Sequence, residues 1–127
     1  MNKILQLGID LIEVSRAQSI YRNYRDKLGR YLSREERSYI KAHRNKGIAF
    51  AEMMAIKEAV FKALELPWLG LEGWRKISLS MKFSRPFSVK LLGSLKTKNI
   101  WGGKFWIDVA SNKVWVLARV LYEKDLL

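Results

Sequence analysis

Cysteine is absent from this sequence of 127 residues, and histidine occurs once, as His43. The absence of cysteine excludes disulfide bonds, a thiolate nucleophile and zinc sites with cysteine ligands. A single histidine excludes a metal centre built from several imidazoles. We interpret His43 itself as a solvated or helix-capping residue rather than a general base.

Long apolar runs are also missing, although hydrophobic residues make up 49% of the chain. No segment approaches the roughly 18 consecutive apolar residues of a membrane-spanning helix. The first residues, MNKILQLGIDLIEV, are interrupted by Gly8, Asp10 and Glu13 and are not followed by a small-residue cleavage site. We therefore expect one globular domain over residues 1–127, with a cytoplasmic location.

Acidic residues are few, with 12 Asp and Glu against 24 Lys and Arg, which gives a net charge of +12. This excess predicts a polyanionic partner, which can be a nucleic acid, a membrane surface, an acidic protein or a phosphorylated ligand. The basic residues are spread along the chain, and glycine-rich aromatic motifs of the RNA-recognition kind are absent. Composition does not choose among these partners.

Apolar and polar residues alternate strictly from residue 5 to residue 11, which predicts a strand with one buried face. Asp10 then points to the opposite face, beside Gly8, which leaves room for a close approach. The expected buried face comprises Leu5, Leu7, Ile9 and Leu11. Helical spacing follows over 15–29, and a capping box formed by Ser33 and Glu36 predicts a second, shorter helix that ends near His43.

The segment MMAIKEAVFKAL, residues 53–64, is apolar nearly all round a helical wheel, so it predicts a central, buried helix. Its charged residues are Lys57, Glu58 and Lys62. In one interpretation Glu58 and Lys62 form an exposed i, i+4 pair worth about 0.3–0.5 kcal/mol, while Lys57 reaches the surface through its long stem. In the other, the three charges are there for function.

Four strand-like segments follow, at residues 76–83, 87–95, 104–110 and 113–123. The predicted order is a strand, two short helices, a buried helix and then an antiparallel sheet. This order indicates an α+β fold with helices packed on an antiparallel sheet.

Two blocks of sequence, GIDLIEVSR at 8–16 and AIKEAVFKAL at 55–64, resemble the paired signature of the holo-acyl-carrier-protein synthases, which are small 4′-phosphopantetheinyl transferases. The first block has the form G-x-D-[IVL]-x-[ED]-[IVL]-x-R and the second A-x-K-E-A-x-x-K-A. Between them, YLSREERSYI resembles the family's F-[LT]-x-x-E segment. The resemblance implies the α+β fold of this family and a homotrimer with active sites at subunit boundaries. Trp101, Trp106 and Trp115 are consistent with a buried interface.

The resemblance also implies roles for the charged residues. Asp10 and Glu58 match the carboxylates that bind Mg²⁺ together with the pyrophosphate of coenzyme A, and oxygen ligands of this kind suit a hard divalent cation. A serine of an apo acyl carrier protein then attacks the β-phosphate, and 3′,5′-ADP leaves. Lys62 is the candidate for offsetting charge on the phosphoryl oxygens. Lys57 is either a structural partner or a phosphate contact.

Acyl carrier proteins are acidic, and the family docks them on its first helix through arginines. Arg16 matches one of these arginines, and Arg22 and Arg25 follow on the same helix. The alternative is that these three arginines are only solvated surface residues. The partners implied are thus a carrier protein and coenzyme A, rather than nucleic acid or a membrane.

The chain departs from the family pattern at two places. Met53 stands where family members have an arginine, and Ser111 stands where they have a histidine near the coenzyme A site. We expect Ser111 to lie at the coenzyme A site, and Arg44, Lys46 or Lys113 to compensate for the missing side chains. The alternatives are a weakened relative that binds carrier protein or coenzyme A without turnover, and a basic nucleic-acid-binding domain.

Overall fold

The computed structural model describes residues 3–67, 70–81, 87–93, 95 and 103–125. It has an α+β architecture, as the sequence predicted. The elements in chain order are β1 Lys3–Glu13, α1 Val14–Tyr24, a 3₁₀ turn Leu28–Arg30, α2 Arg34–Ala42, α3 Lys46–Ala63, α4 Leu71–Trp74, β2 Ile77–Ser80, β3 Ser88–Leu91, β4 Lys104–Ser111 and β5 Trp115–Asp125.

The described strands form two antiparallel sheets rather than the single sheet expected. One has three strands in the order β1-β5-β4, and the other pairs β2 with β3. In the larger sheet Asp10 lies opposite Ala118, and Ser111 lies opposite Val116. Helix α3 packs across β1 and β5, so the core lies between this helix and one face of the sheet.

Helix α3 is buried over most of its surface, which confirms the prediction of a central helix. It begins earlier than residue 53, because the side chain of Asn45 caps it by accepting a hydrogen bond from Ile48 N at 3.0 Å. The capping box of α2 is also confirmed. Ser33 Oγ accepts from Glu36 N at 3.2 Å, and Glu36 Oε1 accepts from Ser33 N at 2.7 Å.

Gly8 places β1 directly against α3. A Cβ atom at this position would lie 1.9 Å from the carbonyl oxygen of Ala59 and 2.7 Å from the amide nitrogen of Ala63, so only glycine permits the contact. The room left by Gly8 is therefore filled by the backbone of α3. This contact brings the neighbouring Asp10 close to the charged residues of the helix.

The prediction of which face of β1 is buried was wrong within a single chain. The four apolar residues predicted to be buried are between 46% and 62% exposed, whereas Gly8, Asp10 and Ile12 face α3. The alternation was read correctly, but the close contact at Gly8 fixes which face the helix covers. The large apolar residues that are exposed on the outer sheet face are Leu5, Leu7, Ile9, Leu11, Trp106 and Trp115. Trp101 lies outside the described residues.

Among the described residues, no helix combines the length and the apolar character that crossing a membrane requires.

Candidate active site

Asp10, Glu58 and Lys62 lie together where β1 meets the last turns of α3. Asp10 Oδ1 accepts a hydrogen bond from Lys62 Nζ at 2.9 Å, and the same ammonium group donates to the carbonyl oxygen of Ile9 at 3.0 Å. Lys62 thus reaches across to β1. Among the described residues its ion pair is with Asp10, and not with Glu58 one turn earlier on the helix.

The second oxygen of Asp10, Oδ2, is buried and accepts no hydrogen bond from the described residues while Glu58 is ionised, because only a protonated Glu58 carboxyl group can donate to Asp10. Burial and the adjacent carboxyl group of Asp10 raise the pKa of Glu58 to about 7, although Lys62 and Arg16 oppose this shift. A cation beside Glu58 and the buried Asp10 oxygen would be stabilised, because it would favour the ionised form of Glu58 and satisfy the free lone pair.

A cavity of about 310 Å³ opens beside the Glu58 carboxyl group. Its charged lining residues are Arg16, Glu58 and Lys62, and Phe61 and Leu66 supply an apolar wall. The sequence suggested Arg16 only for carrier docking, yet it borders the same cavity as Glu58. Phe61 on α3 and Leu66 just after it were missed, because apolar residues that line a site are indistinguishable from core residues in the sequence.

Lys57 belongs to a separate, closed cluster. Its ammonium group donates to Glu36 Oε1 at 3.0 Å and to the carbonyl oxygen of Trp74 at 2.8 Å. Glu36 Oε2 also accepts from the amide of Leu79 at 2.8 Å, and the side chains of both charged residues are 0% exposed. Desolvation lowers the pKa of Lys57, and Glu36 opposes that effect. This geometry favours a structural role for Lys57 over a phosphate contact.

Arg44 and Lys46 lie near the start of α3, and both are exposed. Twelve residues separate Lys46 from Glu58, so they stand about 18 Å apart along the helix axis. Within one chain the structure does not bring these two cations to the Asp10–Glu58 pair. Arg22 lies in the last turn of α1 and Arg25 directly follows that helix, and both are exposed.

Ser111 lies at the end of β4, where its hydroxyl group donates to Glu52 Oε2 at 2.7 Å. Glu52 is buried in α3 and also accepts from Tyr39 Oη at 2.7 Å. Met53, at the position of the family's arginine, is fully buried in the core. The two departures from the family pattern therefore belong to the packed interior and to a hydrogen-bonded side-chain network.

The sequence model of the 4′-phosphopantetheinyl transferase superfamily matches residues 6–111. The chain belongs to this superfamily. Holo-[acyl-carrier-protein] synthases are similar along nearly its whole length. That of Treponema denticola is 33% identical over 125 residues, covering 94% of this chain and 98% of the relative. That of Buchnera aphidicola subsp. Schizaphis graminum is 40% identical over 138 residues, covering 95% and 98%.

Other relatives match over a shorter stretch. The holo-[acyl-carrier-protein] synthase of Anaeromyxobacter sp. (strain K) is 38% identical over 76 residues, which cover 54% of this chain and 59% of the relative. The holo-[acyl-carrier-protein] synthase of Moorella thermoacetica matches over 77 residues, again 59% of its length. The chain thus aligns with somewhat more than half of these two proteins.

Solved structures confirm the fold of this transferase family. The holo-[acyl-carrier-protein] synthase of Neisseria meningitidis superposes with a TM-score of 0.79 at 20% identity, covering 94% of this chain and 98% of the other. The synthase of Helicobacter pylori, solved in complex with coenzyme A, gives a TM-score of 0.72 at 24% identity, covering 90% and 96%. Likeness at these identities establishes the common fold.

Proposed function

We propose that this protein transfers the 4′-phosphopantetheine group of coenzyme A to a serine of an apo acyl carrier protein in the cytoplasm, with Mg²⁺ as the metal. The products are the holo carrier protein and 3′,5′-ADP. The observation that carries the proposal is the meeting of Asp10 and Glu58. These residues come from the two family blocks, and Glu58, beside Asp10, lines a cavity that Lys62 and Arg16 also border.

The residues present fit a divalent cation. Asp10 Oδ2 accepts no hydrogen bond from the part of the chain that the structure describes, and the pKa of the neighbouring Glu58 is raised by burial and by Asp10. Within the described ranges there is no group of three or more Asp, Glu, His or Cys that could hold a metal. Asp10 and Glu58 would therefore hold Mg²⁺ with water and phosphate oxygens, its usual ligand set. The bound cation supplies charge neutralisation for the diphosphate.

The remaining chemistry depends on residues of this chain. The serine oxygen loses its proton to solvent and forms a bond to the β-phosphorus. The bond from that phosphorus to the oxygen bridging the two phosphates breaks, and its electron pair leaves with 3′,5′-ADP. Negative charge grows on the phosphoryl oxygens during this exchange. The side chain of Lys62 is 56% exposed and borders the cavity, so its ammonium group can offset that charge. Arg16 adds a second positive charge at the same cavity.

We propose that the other predicted residues bind the rest of coenzyme A or dock the carrier protein. Arg44, Lys46 and Ser111 are candidates for coenzyme A, at a distance from Glu58 within one chain. Arg22 and Arg25 are exposed cations on the helix that begins beside the cavity, and with Arg16 they suit an acidic carrier protein.

We also propose a homotrimer with its active sites at subunit boundaries. The outer face of the three-stranded sheet exposes large apolar side chains, including Leu5 at 62% and Trp106 at 58%. Large apolar side chains grouped on one exposed face are typical of an interface, and a second copy of the chain can cover them. Light scattering at micromolar concentration tests this proposal. A monomeric mass would contradict it.

The transfer itself is tested by mass spectrometry of an apo carrier protein incubated with the protein, coenzyme A and Mg²⁺. We expect the carrier to gain one phosphopantetheine, and to gain nothing when EDTA replaces Mg²⁺. A reference transferase on the same carriers is the positive control. No gain on several carriers that the reference enzyme modifies would contradict the transferase proposal.

A second candidate is a relative that binds coenzyme A or carrier protein without turnover. The buried Met53 and the Ser111–Glu52 hydrogen bond favour it, because neither position offers the family's side chain to coenzyme A. Calorimetric binding of coenzyme A, without any change in carrier mass, is the outcome that this candidate predicts.

A further inference from the structure

A second cavity, of about 490 Å³, lies between the end of α1 and the exposed side of α2. We call it the α1–α2 groove. The charged residues that line it are Arg25, Asp26, Arg34, Arg37 and Lys41. Four cations thus face a single carboxylate, and the groove is separate from the cavity beside Glu58.

The four cations of the groove are exposed, and none forms an ion pair with the described residues. Asp26 is likewise outside those ion pairs. The positive charge of the groove is therefore not used to hold the fold together. Uncompensated charges of one sign raise the local electrostatic potential, which attracts a partner of the opposite sign.

The spacing of the cations on α2 indicates the shape of that partner. Arg34, Arg37 and Lys41 are at i, i+3 and i+7, so they line one side of the helix over about 10 Å. A single phosphate group is too small to contact such a row. Acidic side chains at helical spacing on a protein match it, and the half-buried Tyr21 adds an apolar contact to the groove.

Helix α1 connects the groove to the cavity beside Glu58. Arg16 borders that cavity, and Arg25, at the end of the helix, is about 14 Å further along its axis and half a turn round it. A protein domain is wider than one helix, so one that brings a serine to Glu58 and extends past the end of α1 can reach the groove. We propose that the α1–α2 groove is a second docking surface for the acidic carrier protein, in which Arg34, Arg37 and Lys41 of α2 contact an acidic helix. This inference rests on the proposed function.

The test is the affinity of the protein for a carrier protein whose acceptor serine is alanine, measured by fluorescence anisotropy. The variant combines Arg37→Glu with Lys41→Glu, and the control is Lys90→Glu, an exposed lysine on β3. We expect the double variant to bind the carrier about tenfold more weakly, because two exposed attractive pairs become repulsive. Coenzyme A affinity, measured by calorimetry without carrier, should stay within about twofold.

A loss of coenzyme A affinity equal to the loss of carrier affinity would overturn the inference, since it would indicate a damaged fold or a coenzyme A site. A double variant that binds the carrier as tightly as the Lys90→Glu control does would also overturn the inference, while leaving the proposed function intact. If the unaltered protein binds neither the carrier nor coenzyme A, the proposed function is contradicted, and so is the proposal that the carrier occupies the groove. Weaker binding of a random oligonucleotide with unchanged carrier affinity would assign the groove to nucleic acid. If the double variant does not fold, Arg37→Gln with Lys41→Gln carries the same expectation with a smaller loss.

Discussion

Lys57 and Glu58 are neighbours in the sequence, yet they belong to two clusters of opposite character. The ammonium group of Lys57 has a carboxylate at 3.0 Å and a backbone carbonyl at 2.8 Å, in a place without solvent. Glu58 lies beside Asp10, whose Oδ2 has no partner among the described residues, and its own pKa is raised to about 7. One cluster is complete by itself, and the other is complete only with a ligand.

The difference separates structural charges from functional ones. A buried ion pair is stable when hydrogen bonds satisfy its remaining atoms, and Glu36 obtains such bonds from Ser33 and Leu79. The closed cluster therefore joins α2, α3, the end of α4 and β2. The open cluster keeps two carboxyl groups in mutual repulsion. Such an arrangement lowers stability, and proteins retain it where a cation or substrate binds.

Breaking the closed cluster should give the largest effect on stability. Lys57→Met leaves the Glu36 carboxylate buried without its cation, so we expect the free energy of unfolding to fall by about 3–5 kcal/mol. Urea unfolding followed by circular dichroism measures it. The double variant with Glu36→Gln should recover much of the loss, because it removes the unpaired charge. A loss below about 1 kcal/mol in Lys57→Met would show that water reaches the cluster.

Breaking the open cluster should affect transfer far more than stability. Glu58→Gln keeps the shape of the side chain and removes its charge, so we expect Mg²⁺-dependent transfer to fall by about 100-fold or more, equivalent to about 2.7 kcal/mol. Asp10→Asn should do the same, with a stability loss of up to about 1 kcal/mol from its ion pair with Lys62. Glu35→Gln, an exposed position on α2, is the control. Near-normal transfer by Glu58→Gln would remove Glu58 from the site.

The sequence predicted the parts of this comparison that depend on local pattern. Helical spacing predicted the burial of α3 and the capping box at Ser33. It also showed that residues 57, 58 and 62 place three charges on that buried helix. The family resemblance then selected Asp10 and Glu58 as a pair. The structure brings their carboxyl groups together, although their binding of Mg²⁺ stays a prediction.

The sequence did not predict the parts that depend on long-range contacts. Alternation along β1 shows two faces but not which of them α3 covers, and that choice follows from the contact of Gly8 with Ala59. Likewise the carboxylate partner of Lys57 is 21 residues away in the chain, on another helix. The cations of the α1–α2 groove come from two helices, so no local motif marks them.

Metal binding should depend on pH through the open cluster. The pKa of Glu58 is about 7, so a proton competes with the cation below that pH. We expect Mg²⁺ affinity to fall by up to tenfold for each pH unit below 7 and to level off above it. Calorimetric titration at pH 6, 7 and 8 measures this dependence. In Glu58→Gln the affinity should be low at all three pH values, and an unchanged affinity from pH 6 to 8 in the unaltered protein would place the metal elsewhere.

The smallest effect expected is on the stability of the metal-free protein. The pKa of Glu58 is raised from 4.5 to about 7 in the folded chain, so between these values the folded state holds a proton that the unfolded state has lost. Its contribution to stability is therefore complete below pH 4.5 and decreases as the pH rises through 7. Because Glu58 is only half-buried, solvent screening reduces the expected change to about 1 kcal/mol.

Urea unfolding in EDTA at pH 5 and pH 8 should then show Glu58→Gln gaining stability relative to the unaltered protein at pH 8. Burial is the largest cause of the raised pKa and Asp10 the next, so in the Asp10→Asn background the gain should shrink without vanishing. A difference between the two proteins that does not change with pH would mean that Glu58 is ionised without strain, and the open cluster would then resemble the closed one.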